Sequence, residues 1–317
     1  MMRAPKSLKY QLLVLLLVLF TAAGLYQGAI QIWGRDISVS ITDVFGTSTG
    51  VYVIVLCLLS YLLRGQRWLI WVKSQQVHTT WLAGMRVYLS AYTFTPTPGN
   101  FGEVVRGILI KPRPLEFKNS LAIFAAERLL DLFALLVLAL PALYFIWPLL
   151  ANDGYWLFAM VCFVVVGYVV IKNLHRLPLH KLPTWIKTKI DLVVTRQCLS
   201  HQSFLTLSLS IIAWLCQGVA VMLLCNAEGL SLTLIQASSV YALSMVVGAI
   251  SAIPAGLVST EASLTGLLIL SGVSAGLALA LTLQIRLVTL WLAVAIGFVC
   301  LLLQFSLNRQ SPLLIND

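Results

Sequence analysis

Long apolar runs, separated from one another by short polar segments, dominate the sequence and leave few folds open to it. The runs lie at about Leu12–Ile30, Ser48–Leu63, Leu121–Trp147, Phe204–Leu224 and Ala278–Phe305. A helix needs about 20 apolar residues to cross the hydrocarbon core of a bilayer. Of the 317 residues 60% are apolar and 10% are charged, whereas a soluble domain carries about a quarter charged residues. We therefore predict an all-α polytopic membrane helix bundle that forms a single membrane domain over residues 1–317.

The basic residues cluster in some of the polar segments and are nearly absent from the others. The members of the clusters are Arg3, Lys6, Lys9, Arg64, Arg67, Lys73, Arg106, Lys111, Arg113, Lys118, Lys172, Arg176, Lys181, Lys187, Lys189, Arg196 and Arg309. The positive-inside rule places such clusters in the cytoplasm. It predicts a multi-pass membrane protein with both termini in the cytoplasm. The longest basic stretch, Lys172–Arg196, is interpreted as an interfacial segment that contacts lipid phosphates. Nucleic-acid binding is excluded, because no fold in the sequence supports it.

The segment TFTPTPGNFGEVVRG, Thr93–Gly107, places helix breakers and charges between two short apolar pieces. The pieces, Trp81–Phe94 and Phe101–Ile110, are each well short of the ~20 residues needed for a crossing. One basic cluster precedes the first piece and another follows the second. The breakers form the predicted tip, Pro96, Pro98 and Gly99. Non-helical backbone at membrane depth is tolerated only beside protein or a water-filled cavity. The pattern therefore predicts a re-entrant helical hairpin that lines a cavity.

A second segment of the same kind, SAIPAGLVSTEASLTG, occupies Ser251–Gly266. Its predicted tip, Pro254 and Gly256, separates the apolar pieces Tyr241–Ile253 and Leu257–Leu270. The loops on either side carry no lysine or arginine, so this hairpin is expected to enter from the outer face.

Each predicted hairpin is preceded by one long apolar run and followed by another, and the two sets have opposite orientations. This order predicts an inverted repeat, an arrangement common in secondary transporters. The first half spans about residues 48–147 and the second about 204–308. A helix and a basic cytoplasmic loop, about residues 155–203, connect them.

Ionisable side chains at the predicted membrane depth each need a partner or a hydrated site, since one costs ~2.5–3.5 kcal/mol at a helix centre on insertion scales. The candidate substrate-binding residues are Arg86, Glu103, Arg106, Arg128, Glu261 and Arg286. Glu127 and Asp131 are four apart and share a helix face. Two interpretations stay open: ion pairs that hold the hairpins against the bundle, and a polar cleft that admits an anionic headgroup.

In the second interpretation Arg86, Arg106 and Arg286 contact phosphate, because a planar guanidinium binds two oxygens at once. Glu103 and Glu261 are then expected to orient these arginines. A metal centre, a disulfide or a cofactor is not expected, because the six cysteines and four histidines lack ligand spacing. No nucleotide-binding or nucleophile motif is present in the sequence, and we expect a transporter-like protein and no enzyme.

Several blocks also resemble one known family, in order along nearly the whole chain. They are RGQRW at 64–68, PTPGNFGEVVR at 96–106, AERLLDL at 126–132, PAGLVSTEA at 254–262 and GVSAGLALALTLQIRLVTLWLAVAIG at 272–297. They look like the flippase-like family of the lysylphosphatidylglycerol synthase transmembrane region, which includes the membrane half of the multiple peptide resistance factor. Asn100 and the pair Ser259 and Thr260 depart from its usual pattern. The resemblance implies a protein of a bacterial cytoplasmic (inner) membrane. It also implies lipid translocation by a stand-alone member without the soluble aminoacyl-transfer domain.

The expected function is translocation of a phospholipid or a polyprenyl-phosphate-linked lipid, whose headgroup passes between the two hairpins. Two alternatives stay open: a membrane glycosyltransferase that uses a lipid-linked sugar, and a secondary transporter of a small solute. The expected partners are membrane lipids, with a second copy of the chain or a cell-envelope enzyme as further candidates.

Overall fold

The computed structural model describes residues 46–150, 169, 192–200, 203–251 and 253–309. The α-helices in these ranges are α1 (Ser48–Ser74), α2 (Trp81–Ser90), α3 (Phe117–Leu150), α4 (Leu192–Ser200), α5 (Ser203–Ala227), α6 (Leu234–Ile250), α7 (Ser259–Leu270), α8 (Ala275–Arg286) and α9 (Leu292–Arg309). The described residues contain no strand, and the predicted all-helical class is confirmed for them. The predicted helix Leu12–Ile30 and most of the connecting segment 155–203 lie outside the described residues.

Three helical stretches in the described ranges are long and apolar enough to cross a membrane. They are Ser48–Ser74, Ser203–Ala227 and Ala275–Ser306; the third continues from α8 through a π-helical turn, Leu287–Trp291, into α9. Large apolar side chains such as Val51, Tyr52 and Val55 point out of the bundle on α1 and are more than half exposed. A lipid environment suits these outward faces, because it removes the cost of exposing apolar surface to water.

Helix α1 continues well past its predicted end at Leu63 and ends at Ser74, so that predicted boundary was wrong. Arg64 and Arg67 do not close the helix; they lie within it and are buried. The charges fit inside because side chains of α3 and α5 accept hydrogen bonds from them. The two arginines therefore belong to the interior of the bundle and not to a cytoplasmic loop.

The first break in helical structure follows the predicted pattern of breakers. Helix α2 passes into a 3-10 helix, Ala91–Phe94, and a second 3-10 helix, Pro98–Gly107, follows the turn between them. The Thr97 hydroxyl ties the turn together, since it donates to the Phe94 carbonyl at 2.7 Å and accepts from the Gly102 amide at 2.9 Å. We call residues 91–107 the first break.

The second break, residues 251–258, joins α6 to α7 through a 3-10 turn at Pro254–Gly256. Helix α6 begins at Leu234 and not at the predicted Tyr241, because a capping box of Thr233 and Gln236 fixes its start. Positive φ angles occur at Ala255, Gly256 and Val258. Gly256 also lies against the α6 backbone, where a side chain would meet Gly248 and Thr260.

The helices on either side of the two breaks pack in a reciprocal way. Helix α1 packs along α5, α2 packs on α9, and α6 packs on α3. The backbones of α9 and the first break approach so closely at Gly297 that a Cβ there would lie 2.6 Å from the Thr93 nitrogen. The 3-10 helix Pro98–Gly107 contacts the turn Pro254–Gly256, so the two breaks meet.

Candidate functional site

Two adjoining cavities lie where the two breaks meet. The larger, with a volume of about 300 Å³, is lined by the second break and by α3, α5 and α6. The smaller, of about 80 Å³, extends toward α1 and α8. Residues common to both linings are Asn100, Arg128, Trp214, Met245 and Ala255. Both breaks therefore line one continuous region, in which the charges of the site lie beside apolar wall residues.

Arg67 of α1 is a fully enclosed charge of this region, with no exposed surface. Its guanidinium binds Asp131 of α3 through two hydrogen bonds, Nη1 to Oδ1 at 2.6 Å and Nη2 to Oδ2 at 3.1 Å. Nη1 also donates to Ser210 of α5, and Glu127 lies 3.5 Å from Nη2. Both carboxylates contact Arg67, as expected of residues that share a helix face. This ion pair joins three helices.

Arg106 at the end of the first break is also buried, with 2% of its surface exposed. Its Nη2 donates to the Glu103 carboxylate at 2.6 Å, and its Nη1 lies 3.1 Å from a Glu127 oxygen. Its Nε donates to the backbone carbonyl of Glu103, and the guanidinium stacks over the Tyr88 ring. Carboxylates from the break and from α3 thus neutralise Arg106 within the protein.

Arg128 differs from these two arginines because 37% of its side chain is exposed. It lines both cavities and contacts the Glu103 carboxylate at 3.3 Å and, more weakly, that of Asp131 at 3.9 Å. The contact with Glu103 is long, and the Arg128 side chain is partly exposed. Arg128 could therefore exchange this contact for one with another anion. Arg128 is thus the cation of the cluster that a bound molecule could reach most easily.

Arg286 of α8 holds the second break in place. Its Nε donates to the Glu261 carboxylate at 2.7 Å, and its Nη2 donates to the Ala255 carbonyl at 2.9 Å. The residue is 2% exposed yet lines the smaller cavity. Because Ala255 has a positive φ, its carbonyl does not continue the helical hydrogen-bond pattern. The Arg286 guanidinium donates to this carbonyl instead.

Arg64 is the one buried arginine of the site that has no carboxylate within 4 Å among the described residues. Its Nη2 donates to the amide oxygen of Gln217 at 3.1 Å, and its guanidinium stacks 3.8 Å from the centre of the Trp214 ring. The same Gln217 oxygen accepts from the Tyr241 hydroxyl at 3.0 Å. Arg64 lines the smaller cavity.

The structure brings most of the sequence candidates together but separates one of them. Arg86 lines neither described cavity; its Nε donates to the Gln304 amide oxygen at 2.9 Å. Glu103 and Arg286 line the smaller cavity, while Glu261 lines neither described cavity and binds Arg286. Of the tip residues, Gly256 lines the larger cavity and Pro96 is buried. In the described ranges no group of three or more histidine, cysteine, aspartate or glutamate residues is placed to hold a metal.

Sequence reasoning missed Arg64 and Arg67 as site residues because it assigned them to a loop. A signal for the helix was present: the apolar run resumes after Arg67 with Trp68, Leu69, Ile70, Trp71 and Val72. Two arginines three residues apart inside such a run share one helix face. Gln217 and Trp214 carried no comparable signal.

Comparison with known proteins agrees with the all-helical membrane architecture. A family model described as "Lysylphosphatidylglycerol synthase TM region" matches residues 8–297. A UPF0104 membrane protein of Methanothermobacter thermautotrophicus is 30% identical over 102 residues, which cover 31% of this chain and 30% of that protein. The match to this relative therefore spans less than a third of its length. Because the family model spans most of the chain, this protein belongs to the membrane-protein family of the lysylphosphatidylglycerol synthase transmembrane region.

Proposed function

We propose that this protein translocates a lipid with an anionic headgroup, either a phospholipid or a polyprenyl-phosphate-linked lipid, across the cytoplasmic membrane. The observation that carries the proposal is the lining of the larger cavity, where the partly exposed guanidinium of Arg128 shares one space with Leu132, Leu135 and Ile253. A lipid presents the same combination, since a charged headgroup is joined to apolar chains. A volume of about 300 Å³ is at the lower end of the range usual for small-molecule sites and suits a headgroup.

The reciprocal packing of the helices supports an inverted repeat with two re-entrant hairpins. In this proposal α1, the first break and α3 form one half, while α5, the second break and α8 to α9 form the other. The first arm of each hairpin then packs on the last helix of the opposite half, α2 on α9 and α6 on α3. A pseudo-two-fold axis that passes between the two breaks would relate these two packing contacts to each other. Transporters built in this way place their substrate site at the interface of the repeats.

The proposal assigns different roles to the arginines. Arg128 and Arg286 lie at the cavity walls and contact the headgroup. Arg106 acts as an ion pair that holds the first break against α3, since two carboxylates already occupy its guanidinium. This assignment departs from the sequence hypothesis, in which Arg106 contacted phosphate and Glu103 only oriented it.

The test is a translocation assay in proteoliposomes, with acyl-labelled fluorescent lipids and a membrane-impermeant quencher. We expect the wild type to move an anionic phospholipid faster than protein-free vesicles do. Arg128→Gln should slow transport by about tenfold or more while the melting temperature changes little, because partly exposed ion pairs contribute about 0–1 kcal/mol. Arg128→Lys should restore transport only in part, because an ammonium lacks the planar fork.

The matched control is Arg113→Gln, which removes the same charge from an exposed loop position outside both cavities. It should translocate lipid at the wild-type rate. Transport at the wild-type rate in Arg128→Gln, or no transport by the wild type, would refute the proposal. Transfer of sugar from a lipid-linked donor without translocation would support the glycosyltransferase alternative.

A further inference from the structure

We infer that the site selects a headgroup with a single net negative charge, such as a phosphodiester, and that Arg64 is the residue that sets this preference. The inference rests on the proposed translocation of a lipid and adds the charge class of the substrate. It follows from the charge balance of the described site and from the surroundings of one arginine.

Among the described residues, the ionisable groups that line the two cavities or contact their walls leave one positive charge uncompensated. Five arginines belong to this set, Arg64, Arg67, Arg106, Arg128 and Arg286, against four carboxylates, Glu103, Glu127, Asp131 and Glu261. Every arginine except Arg64 has a carboxylate of this set within 3.3 Å. The excess charge therefore resides on Arg64.

The groups in direct contact with the Arg64 guanidinium are uncharged. Gln217 supplies a neutral amide oxygen and Trp214 supplies a ring face. The buried Nε of Arg64 has no hydrogen-bond partner in the part of the chain that the structure describes. A buried charge that is only partly hydrogen-bonded is unfavourable, and an anion entering the smaller cavity would relieve this.

Position 217 shows that the missing counter-ion does not result from a lack of space. Gln217 accepts hydrogen bonds from Arg64 and from Tyr241 at the same oxygen. A glutamate has the same shape, accepts the same two hydrogen bonds and would cancel the charge of Arg64. With glutamine there, the positive charge of Arg64 stays available to a ligand.

The size of the excess predicts which headgroups bind best. A phosphodiester carries one negative charge, so its complex with the site is neutral overall. A phosphomonoester carries about 1.5 to 2 negative charges at neutral pH and would leave the buried site with excess negative charge. A zwitterionic headgroup would leave the charge of Arg64 uncancelled. Among lipid-linked sugars, those joined through one phosphate fit this preference and those joined through a diphosphate do not.

The experiment compares the full-length wild type with Gln217→Glu and with the matched control Gln304→Glu. Both substitutions place a carboxylate beside an arginine whose partner is a glutamine, but Arg86 and Gln304 line neither described cavity. Binding is measured as the rise in melting temperature with short-chain phosphatidylglycerol, phosphatidic acid and phosphatidylcholine in neutral detergent. Translocation of the acyl-labelled forms of the same lipids is measured separately in proteoliposomes.

We expect the wild type to bind phosphatidylglycerol about tenfold or more tightly than the other two lipids, because a unit charge pair is strong at low dielectric. Gln217→Glu should weaken phosphatidylglycerol binding by a similar factor and raise the melting temperature without lipid. Gln304→Glu should leave lipid binding unchanged. Phosphatidylglycerol affinity within about twofold of wild type in Gln217→Glu, or phosphatidic acid bound as tightly as phosphatidylglycerol, would overturn the inference.

The two readouts separate this inference from the proposed function. Translocation without charge preference would overturn the inference and leave the proposed function standing. Charge-selective binding without translocation would overturn the proposed function and leave the charge preference of the site standing. Tight binding of glycerophosphoglycerol, the deacylated headgroup, would point to a soluble phosphodiester and overturn the assignment of a lipid.

Discussion

Removing the carboxylate of Asp131 is the perturbation that tests most directly how this bundle tolerates its buried charges. In Asp131→Asn the Arg67 guanidinium loses the partner that holds both of its terminal nitrogens, at 2.6 and 3.1 Å. Glu127 remains 3.5 Å from Arg67, but this carboxylate already binds Arg106 at 3.1 Å. The new amide group would also bring N–H donors toward the donors of Arg67 and of Trp214, whose Nε1 now donates to Asp131.

The cost follows from the burial of Arg67. Breaking a buried pair by removing one partner destabilises a protein by about 3–5 kcal/mol, because the other charge stays buried without compensation. Here the lower part of that range is expected, about 3 kcal/mol, since Glu127 and Ser210 still contact the guanidinium. The double variant Arg67→Gln/Asp131→Asn should recover about 1–2 kcal/mol relative to additivity, since contacting residues couple by 0.5–3 kcal/mol.

The assay is reversible unfolding in mixed micelles with increasing denaturing detergent, followed by tryptophan fluorescence. Arg128→Gln serves as the comparison, because 37% of that side chain is exposed and its loss should cost about 1 kcal/mol or less. The argument for the buried pair fails if the unfolding free energy of Asp131→Asn lies within about 1 kcal/mol of wild type. It also fails if Asp131→Asn and Arg128→Gln lower the unfolding free energy by the same amount.

Two further predictions concern the backbone of the breaks. Gly297→Val should destabilise the protein by about 1–3 kcal/mol or block folding, because its Cβ would lie 2.6 Å from the Thr93 nitrogen. Gly266→Ala, with no atom within 4 Å of the added carbon, should be neutral or stabilising in the same detergent-unfolding assay. Val258→Gly should stabilise by about 1 kcal/mol, since φ is +70° and the side chain is 74% exposed. The control Val247→Gly, inside α6, should instead lower the unfolding free energy by about 1 kcal/mol. A lower unfolding free energy in Val258→Gly would contradict the strain argument.

The order of elements and the position of both breaks could be predicted from the sequence, because prolines and glycines act locally. Breakers at 96–99 and 254–256 interrupt helices in the structure, and the first arm, Trp81–Phe94, has its predicted bounds as an α-helix followed by a 3-10 helix. The second piece, predicted at Phe101–Ile110, is a 3-10 helix with different bounds, Pro98–Gly107. Apolar periodicity alone does not distinguish a 3-10 helix from an α-helix.

The composition of the candidate site could be predicted only in part, because its contacts join residues far apart in the chain. Spacing along one helix indicated that Glu127 and Asp131 share a face. It could not indicate that Arg67, 64 residues away from Asp131, is their partner. The contact between Arg64 and Gln217 spans 153 residues and depends on how α1 packs along α5. Long-range packing of this kind decides which charges are neutralised and which are left for a ligand.

The position of the unpaired charge has a consequence for how transport would be driven. A ligand shifts a conformational equilibrium only by the difference in its interactions with the two states. Arg64 and Arg128 belong to one proposed half of the protein, while Arg286 and Ala255 belong to the other, and all four line the smaller cavity. An anion held there would contact both halves at the point where the breaks meet. Movement of one half against the other would change the distances from the anion to these arginines. The charges that bind the headgroup would therefore also couple its binding to the relative movement of the two halves.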